Sequence, residues 1–354
     1  MSFNDFEEYK KQGEPSQKEK AENWAISIGL QKVDDLTPSR YLIETAKENI
    51  EGKIDNDEVK ERINSYYKTE AGQSQDIGTE QADKVSMHIA EILSEKSFSL
   101  SPTTIYSIHR RMFYDVFPKI AGVIRDYNIT KKEVVLNGDT VHYGPFQDIK
   151  FALDYEFDRE KEFSYSELNT KEKIEHIAKF ISSIWQIHPF AEGNTRTIAI
   201  FTIKYLQTMG FIAKNIFFEQ NAKYFRDSLV RANYQNVKNG ISYTKEYLNL
   251  FFENLLFDGK NKLDSKNLII PVRVNEKNVM INEKNVMINK EDVMIKIDNK
   301  VLSLIMERKA GTIEELASLL GKSTRTIARA IKKLSDEKRI QRIGSRKTGH
   351  WEAL

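Results

Sequence analysis

Between two apolar helical runs lies a short polar stretch, HPFAEGNTRT (His188–Thr197), that brings an imidazole, a carboxylate, a Gly-Asn pair and a guanidinium close together. His188 is a base that titrates near neutrality and so can accept a proton from a hydroxyl. Glu192 can hold a divalent cation, because magnesium prefers one or two carboxylates together with phosphate oxygens. Gly193 and Asn194 permit unusual backbone angles and aim N–H groups at an anion, and the helix that follows adds the positive end of its dipole. Arg196 opposes that dipole as a helix residue but suits a bound phosphate. Residues of these types at this spacing point to chemistry on a polyphosphate beside a proton acceptor.

The elements that must hold this loop are legible on both sides. Thr170–Gln186 reads as a core helix with Ile174, Ile177, Ile181 and Ile184 on one stripe and Phe180 beside it. It should end at His188-Pro189, since proline disfavours helix at the residue before it. A second apolar helix carries Ile198, Phe201, Tyr205 and Met209 on one face. The pattern is mainly helical from about Val85 to Leu256, with one exception. VVLNGDTVHYGP (Val134–Pro145) alternates and contains Asn137-Gly138, which predicts a β-hairpin. Upstream, residues 1–20 are polar and expected to be flexible. Helices are expected at Ala21–Leu30, at Pro38–Glu51 after a break at Asp34-Asp35, and again after Asp55.

The chain has 354 residues, 40% hydrophobic and 30% charged, which is enough for two or three ordinary globular domains. It has no cysteine, so disulfides, thiolate catalysis and cysteine-ligated zinc are excluded. No run of about 18 apolar residues occurs, and the N-terminus lacks the apolar core of a secretory signal, so no membrane span and a cytoplasmic location are expected. The net charge of +2 conceals an asymmetry: residues 301–354 hold 12 Lys and Arg against 6 Asp and Glu. That basic excess points to nucleic acid at the C-terminal end.

The stretch at 188–197 resembles the active-site motif of the Fic family: His, Pro, Phe, any residue, Asp or Glu, Gly, Asn, Gly, Arg, two residues, Arg. AGVIRDYNIT (Ala121–Thr130) is similar to the segment before that family's flap, the Asn137-Gly138 hairpin falls where the flap lies, and NAKYFRDSLVRANY (Asn221–Tyr234) is similar to its later nucleotide-side helix. The resemblance covers about residues 85–257. It implies a mainly α fold: a Fic-type helical core with a β-hairpin flap, a helical N-terminal cap and a C-terminal winged helix-turn-helix. It implies a protein adenylyltransferase that uses ATP and Mg2+ to modify a Ser, Thr or Tyr hydroxyl of a target protein. His188 would be the base, Phe190 the anchor of the loop and Glu192 the metal ligand. Gly193, Asn194, Thr195 and Arg196 would hold the nucleotide phosphates. Val135, Leu136, Asn137, Gly138, His142 and Tyr143 would form the flap that docks the target as an added strand.

Two positions depart from the motif. Thr195 stands where the family usually has Gly, and Ala199 stands at the second Arg. These changes keep phosphotransfer or another nucleotide open as alternatives, along with a catalytically inactive DNA-binding regulator.

Ahead of the core, AENWAISIGLQK and TAKENIEGKI (Thr45–Ile54) resemble a VbhA-type antitoxin, which suggests a toxin–antitoxin arrangement in one chain. Ser27 and Gln31 occupy the places of its inhibitory Ser/Thr and Glu. A helix restraining the site through shape and neutral hydrogen bonds is one reading, and a plain helical cap is the other.

Beyond Asp258 the sequence changes character. A seven-residue tandem, NEKNVMI, NEKNVMI, NKEDVMI, marks a linker at 259–299. Thr312–Leu320 and Thr324–Leu334 read as two helices around Gly321, with Ser323 as N-cap, followed by two short strands around a basic turn. This resembles a winged helix. It would put Arg325, Arg329, Lys332, Lys333, Arg346 and Lys347 on DNA through residues 312–351, or else serve as a protein-docking module. The expected domains are thus 1–20, 21–84, 85–258, 259–299 and 300–354.

Overall fold

The computed structural model describes residues 6–211, 215–271, 301–302, 304–305, 312–320, 324–336, 339–343 and 350–353. The chain divides into two compact units, residues 1–274 and 275–354.

The first unit is built from helices α1 (Glu7–Gln12), α2 (Pro15–Gly29), α3 (Arg40–Ile50), α4 (Asn56–Tyr66), α5 (Glu70–Gln73), α6 (Ile77–Ser94), α7 (Pro102–Phe113), α8 (Ile149–Glu162), α9 (Thr170–Ile187), α10 (Asn194–Thr208), α11 (Asn215–Ala232) and α12 (Glu246–Phe257). Their starts are encoded locally. Asp55 with Glu58 and Asn169 with Glu172 form reciprocal capping boxes at α4 and α9. Pro15 sits at the first turn of α2, where its missing N–H costs nothing.

The main core gathers Ile177, Ile181, Ile184 and Trp185 of α9 with Ile198, Phe201 and Leu206 of α10, and around them Phe113, Phe157, Phe225 and Phe251. A second core joins Phe6, Trp24, Leu42, Ile50, Val59 and Ile63. Helices α2 and α6 are common to both: Ile26, Val85 and Ile89 face the main core, while Trp24, Ala25, Met87 and Ala90 face the second. The division expected at residues 84 and 85 therefore falls inside one continuous helix, α6.

Three expectations differ from the structure. Residues 1–20 are helical from Glu7, because Phe6 is buried in the second core and a Glu14–Gln17 capping box starts α2. Residues 134–145 form no strand. The Asn137-Gly138 turn is present, with both residues at positive φ, but Val134–Leu136 coils into a 3-10 turn. Burial of Val135 and Leu136 in the main core outweighs the alternation, since a flat strand would have left one of two adjacent apolar residues outside. Finally, part of the expected linker is packed: Leu268 and Ile270 are buried in the main core, and the Ile270 N–H donates to the Val135 carbonyl at 2.9 Å. The tandem repeat lies outside the described residues.

The second unit contains α13 (Ile313–Leu320), α14 (Thr324–Asp336) and an antiparallel pair, β1 (Ile340–Ile343) with β2 (His350–Ala353). Its core is Val301, Ile305, Leu316, Ile327, Ala330, Ile331, Leu334 and Ile340. Among the described residues, no helix is long and apolar enough to cross a membrane.

Candidate active site

Helix α9 ends at Ile187, and His188 follows in the left-handed region at φ 52°, ψ 62°. That conformation is costly for a residue with a Cβ and departs from the extended backbone usual before proline. Arg125, itself buried, holds it in place. Its Nε donates to the His188 carbonyl at 2.7 Å, Nη2 to the Ile187 carbonyl at 3.2 Å and also to the Gly144 carbonyl, and Nη1 to the Tyr127 carbonyl at 2.7 Å. The Arg125 N–H donates to the Pro189 carbonyl at 2.9 Å. One guanidinium thus satisfies the last carbonyls of α9 and adds positive charge at the helix end that favours it.

The imidazole that results is oriented for proton acceptance. His188 Nδ1 lies 3.2 Å from the Trp185 carbonyl, which can only accept, so Nδ1 carries the proton and Nε2 the lone pair. Nε2 is buried and has no hydrogen-bond partner among the described residues. Burial holds His188 well below its ordinary pKa, and the positive charges of Lys131, Arg125 and Arg226 push the same way, against the Trp185 carbonyl. The Tyr143 ring packs on the imidazole, with centroids 4.1 Å apart.

The loop from 190 to 194 closes on itself. Asn194 Oδ1 accepts from the Phe190 N–H at 3.0 Å, and Nδ2 donates to the Phe190 carbonyl at 2.7 Å. His109 stacks on Phe190, with centroids 3.7 Å apart; it accepts from the Gly122 N–H at Nδ1 and so donates from Nε2 to the Glu192 carbonyl at 2.9 Å. Desolvation takes its pKa down to about 4, so this ring is neutral. Gly193, at φ +76°, begins α10, and a Cβ there would meet the Phe113 ring at 2.4 Å, so only glycine fits. Thr195 is tied to α9 through Trp185 Nε1, which donates to Oγ1 at 3.0 Å.

Charge on the loop is arranged in pairs. Glu192 Oε1 accepts from the Gly193 N–H at 2.9 Å, and Oε2 lies 3.3 Å from Lys131 Nζ. Burial pushes the Glu192 carboxyl up, but Lys131, the Gly193 N–H and Arg196 together hold it below its ordinary value. Arg196 is fully buried. Its Nη1 donates to Gln31 Oε1 at 3.0 Å, its Nε lies 2.8 Å from Asp34 Oδ2 in an ion pair, and its guanidinium carbon sits 4.9 Å from the centre of the Phe113 ring. Nη2 has no partner. Gln31 and Asp34 both belong to the 3-10 turn Leu30–Asp34 that follows α2.

Residues 99–206 match the Fic/DOC family model. Every loop residue just described falls within that matched stretch, whereas Gln31 and Asp34 lie outside it. The chain is also similar in structure to a Fic family protein from Desulfovibrio desulfuricans G20, at 12% identity and a TM-score of 0.45, over 99% of this chain and 93% of that one. No curated protein matches the chain.

The candidate residues distribute as follows. His188, Glu192, Gly193, Asn194, Thr195 and Arg196 share one loop and the first turn of α10. Asn194 uses its side chain to close the loop. In the flap, Asn137, Gly138 and His142 are exposed, Tyr143 is half-buried, and Val135 and Leu136 are buried. The side chains of these last two fill the core, and the Val135 carbonyl accepts from the Ile270 N–H. Ser27 is buried inside the N-terminal packing: its hydroxyl donates to the Trp24 carbonyl, and its own carbonyl accepts from Gln31 Nε2. Gln31 reaches Arg196 and not Ala199. In the second unit, Arg329 and Lys332 are exposed on α14 and Lys333 is half-buried. Arg325 lies on α14, and its side chain is outside the described residues, as are Arg346 and Lys347.

Sequence reasoning missed Arg125, Lys131, His109 and Asp34. Asp34 read only as part of a helix break, and no local pattern links residue 34 to residue 196.

For a divalent cation the donor set is narrow. Among the described residues no group of three or more His, Cys, Asp and Glu could cage a metal. Glu192 alone fits the mode in which magnesium takes one carboxylate and completes its shell with water and substrate phosphate.

Proposed function

We propose that this chain is a protein adenylyltransferase, transferring AMP from ATP to a hydroxyl side chain of a protein. The observation that supports this best is the buried, unpartnered Nε2 of His188, held by Arg125 at the mouth of a loop whose next turn opens a helix N-terminus. Nε2 takes the proton from the target hydroxyl. The oxygen then forms a bond to the α-phosphorus, and the bond to the β-phosphate breaks to release pyrophosphate. The first-turn amides of α10 lack intrahelical acceptors, as at any helix start, and face developing negative charge. Glu192 would hold Mg2+, which when bound neutralises charge on the phosphates.

In the present arrangement Arg196 is engaged by Gln31 and Asp34, so the N-terminal segment restrains the site by taking the guanidinium that a polyphosphate would use. This reading joins a neutral amide to an ion pair.

Thr195 and Ala199 favour a second reading in which another nucleotide or another phosphate is transferred. Incubation with Mg2+ and each nucleotide, followed by intact-mass measurement of the modified protein, separates the two. AMP adds about 329 Da and phosphate about 80. Absence of any covalent adduct, from the whole chain and from Asp34→Asn alike, would remove the transferase reading and leave a nucleotide-binding or inactive domain.

For the second unit, exposed Arg329 and Lys332 on α14, followed by an antiparallel pair, support DNA binding through a winged helix. Binding there should weaken steeply with salt. A gel shift unchanged by Arg325→Ala together with Arg329→Ala would count against it.

A further inference from the structure

Two cations act on the Glu192 carboxylate, and they differ in availability. Arg196 is fully buried and already holds Gln31 and Asp34. Lys131 is about one-third exposed and meets only one oxygen of Glu192, at 3.3 Å. Its backbone is fixed nearby. The Lys131 N–H donates to Thr140 Oγ1 at 3.3 Å, and two residues on, Glu133 is buried, ion-paired with Arg226 at 2.8 Å and bonded through its N–H to the Asp139 carbonyl. The root of Lys131 is therefore anchored, while its ammonium is partly exposed and meets a single carboxylate oxygen that another ligand can replace. It is also the foremost charge acting on His188, after burial itself. Ala199, buried on α10, supplies no charge to the loop.

We propose that Lys131 is a phosphate-binding residue of the active site, giving up Glu192 for a phosphate oxygen of the nucleotide. Glu192 would hold a divalent cation in place of the Lys131 ammonium it now meets at 3.3 Å, and Lys131, released from the carboxylate, would be free to take a phosphate oxygen. Lysine suits this role because its three donors sit on a flexible stem and need no fixed fork geometry. The proposal rests on the nucleotidyl-transfer reading of the same loop.

The test is calorimetric titration of the full chain, in wild-type and Asp34→Asn backgrounds, with ATP and with adenosine, each with and without Mg2+. Lys131→Met should weaken ATP binding by about tenfold to a hundredfold, the size of one charge-assisted hydrogen bond. It should leave adenosine binding unchanged, and Lys131→Arg should restore most of the loss. If Lys131→Met tightens Mg2+ binding yet leaves ATP affinity intact, Lys131 is only the counter-ion of Glu192 and the assignment fails. If neither background binds any nucleotide, the nucleotidyl-transfer reading itself fails, and this assignment falls with it.

Discussion

Arg125 and Arg196 are buried guanidiniums on the two sides of one loop, at the exit of α9 and the entry of α10. At the exit, Arg125 spends its side-chain donors on four main-chain carbonyls and has no charged partner. At the entry, Arg196 is held by two side chains from a distant segment and keeps Nη2 unpaired. Carbonyls of a packed backbone cannot leave, whereas an amide and a carboxylate on a 3-10 turn can. The difference separates a guanidinium that builds the loop from one that the loop can lend to a ligand.

The largest effect should come from His188→Ala, which leaves the Arg125 contacts to the exit in place but removes the unpartnered imidazole nitrogen at its mouth. Transfer should fall by roughly 10²–10⁴, read by labelled-nucleotide incorporation, and full activity would dissolve the proposed role of the exit. Arg125→Ala should cost about 3 kcal/mol or more in thermal unfolding, because several buried carbonyls lose their donor. Arg196→Ala should cost less stability but remove nucleotide binding. Equal losses of stability in the two variants would erase the distinction.

Acid should act through the entry loop. His109 carries a pKa of about 4 in the folded chain against an ordinary 6.5. The unfolded chain therefore takes up a proton first. The stability contributed by a neutral His109 is full above about pH 6.5 and is lost as pH falls towards 4, to the extent of about 3 kcal/mol. The melting temperature measured from pH 7 to 4 should fall less steeply in His109→Gln. Gly193→Ala should destabilise by about 1–3 kcal/mol through the clash with Phe113, measurable by denaturant melts. The smallest effect should be that of Asp34→Asn. With the partly exposed ion pair gone, self-modification should rise several-fold, since such pairs contribute about 1 kcal/mol or less.

The helices flanking the loop were legible because their apolar stripes are strong, because α9 opens on the Asn169–Glu172 capping box and because α10 opens on the Gly193 turn. The loop itself was legible from residue types that share nine consecutive positions. The flap was not. Asn137-Gly138 reported the turn correctly, but alternation could not reveal that both Val135 and Leu136 would be drawn into the core by Ile270, more than a hundred residues later. Asp34 was missed for the same reason, since its importance lies in a partner 162 positions away. Arg125 sat inside a motif whose side-chain geometry no spacing rule encodes.

The seating of Leu268 and Ile270 bears on how the chain may be dissected. A catalytic fragment cut after α12, at Asp258, would strip two apolar side chains from the main core and leave the Val135 carbonyl and Arg231 Nη1 without the partners they have at Ile270 and Leu268. The shortest self-sufficient fragment should therefore run to Pro271, and the thirteen residues after Asp258 belong with the helical first unit.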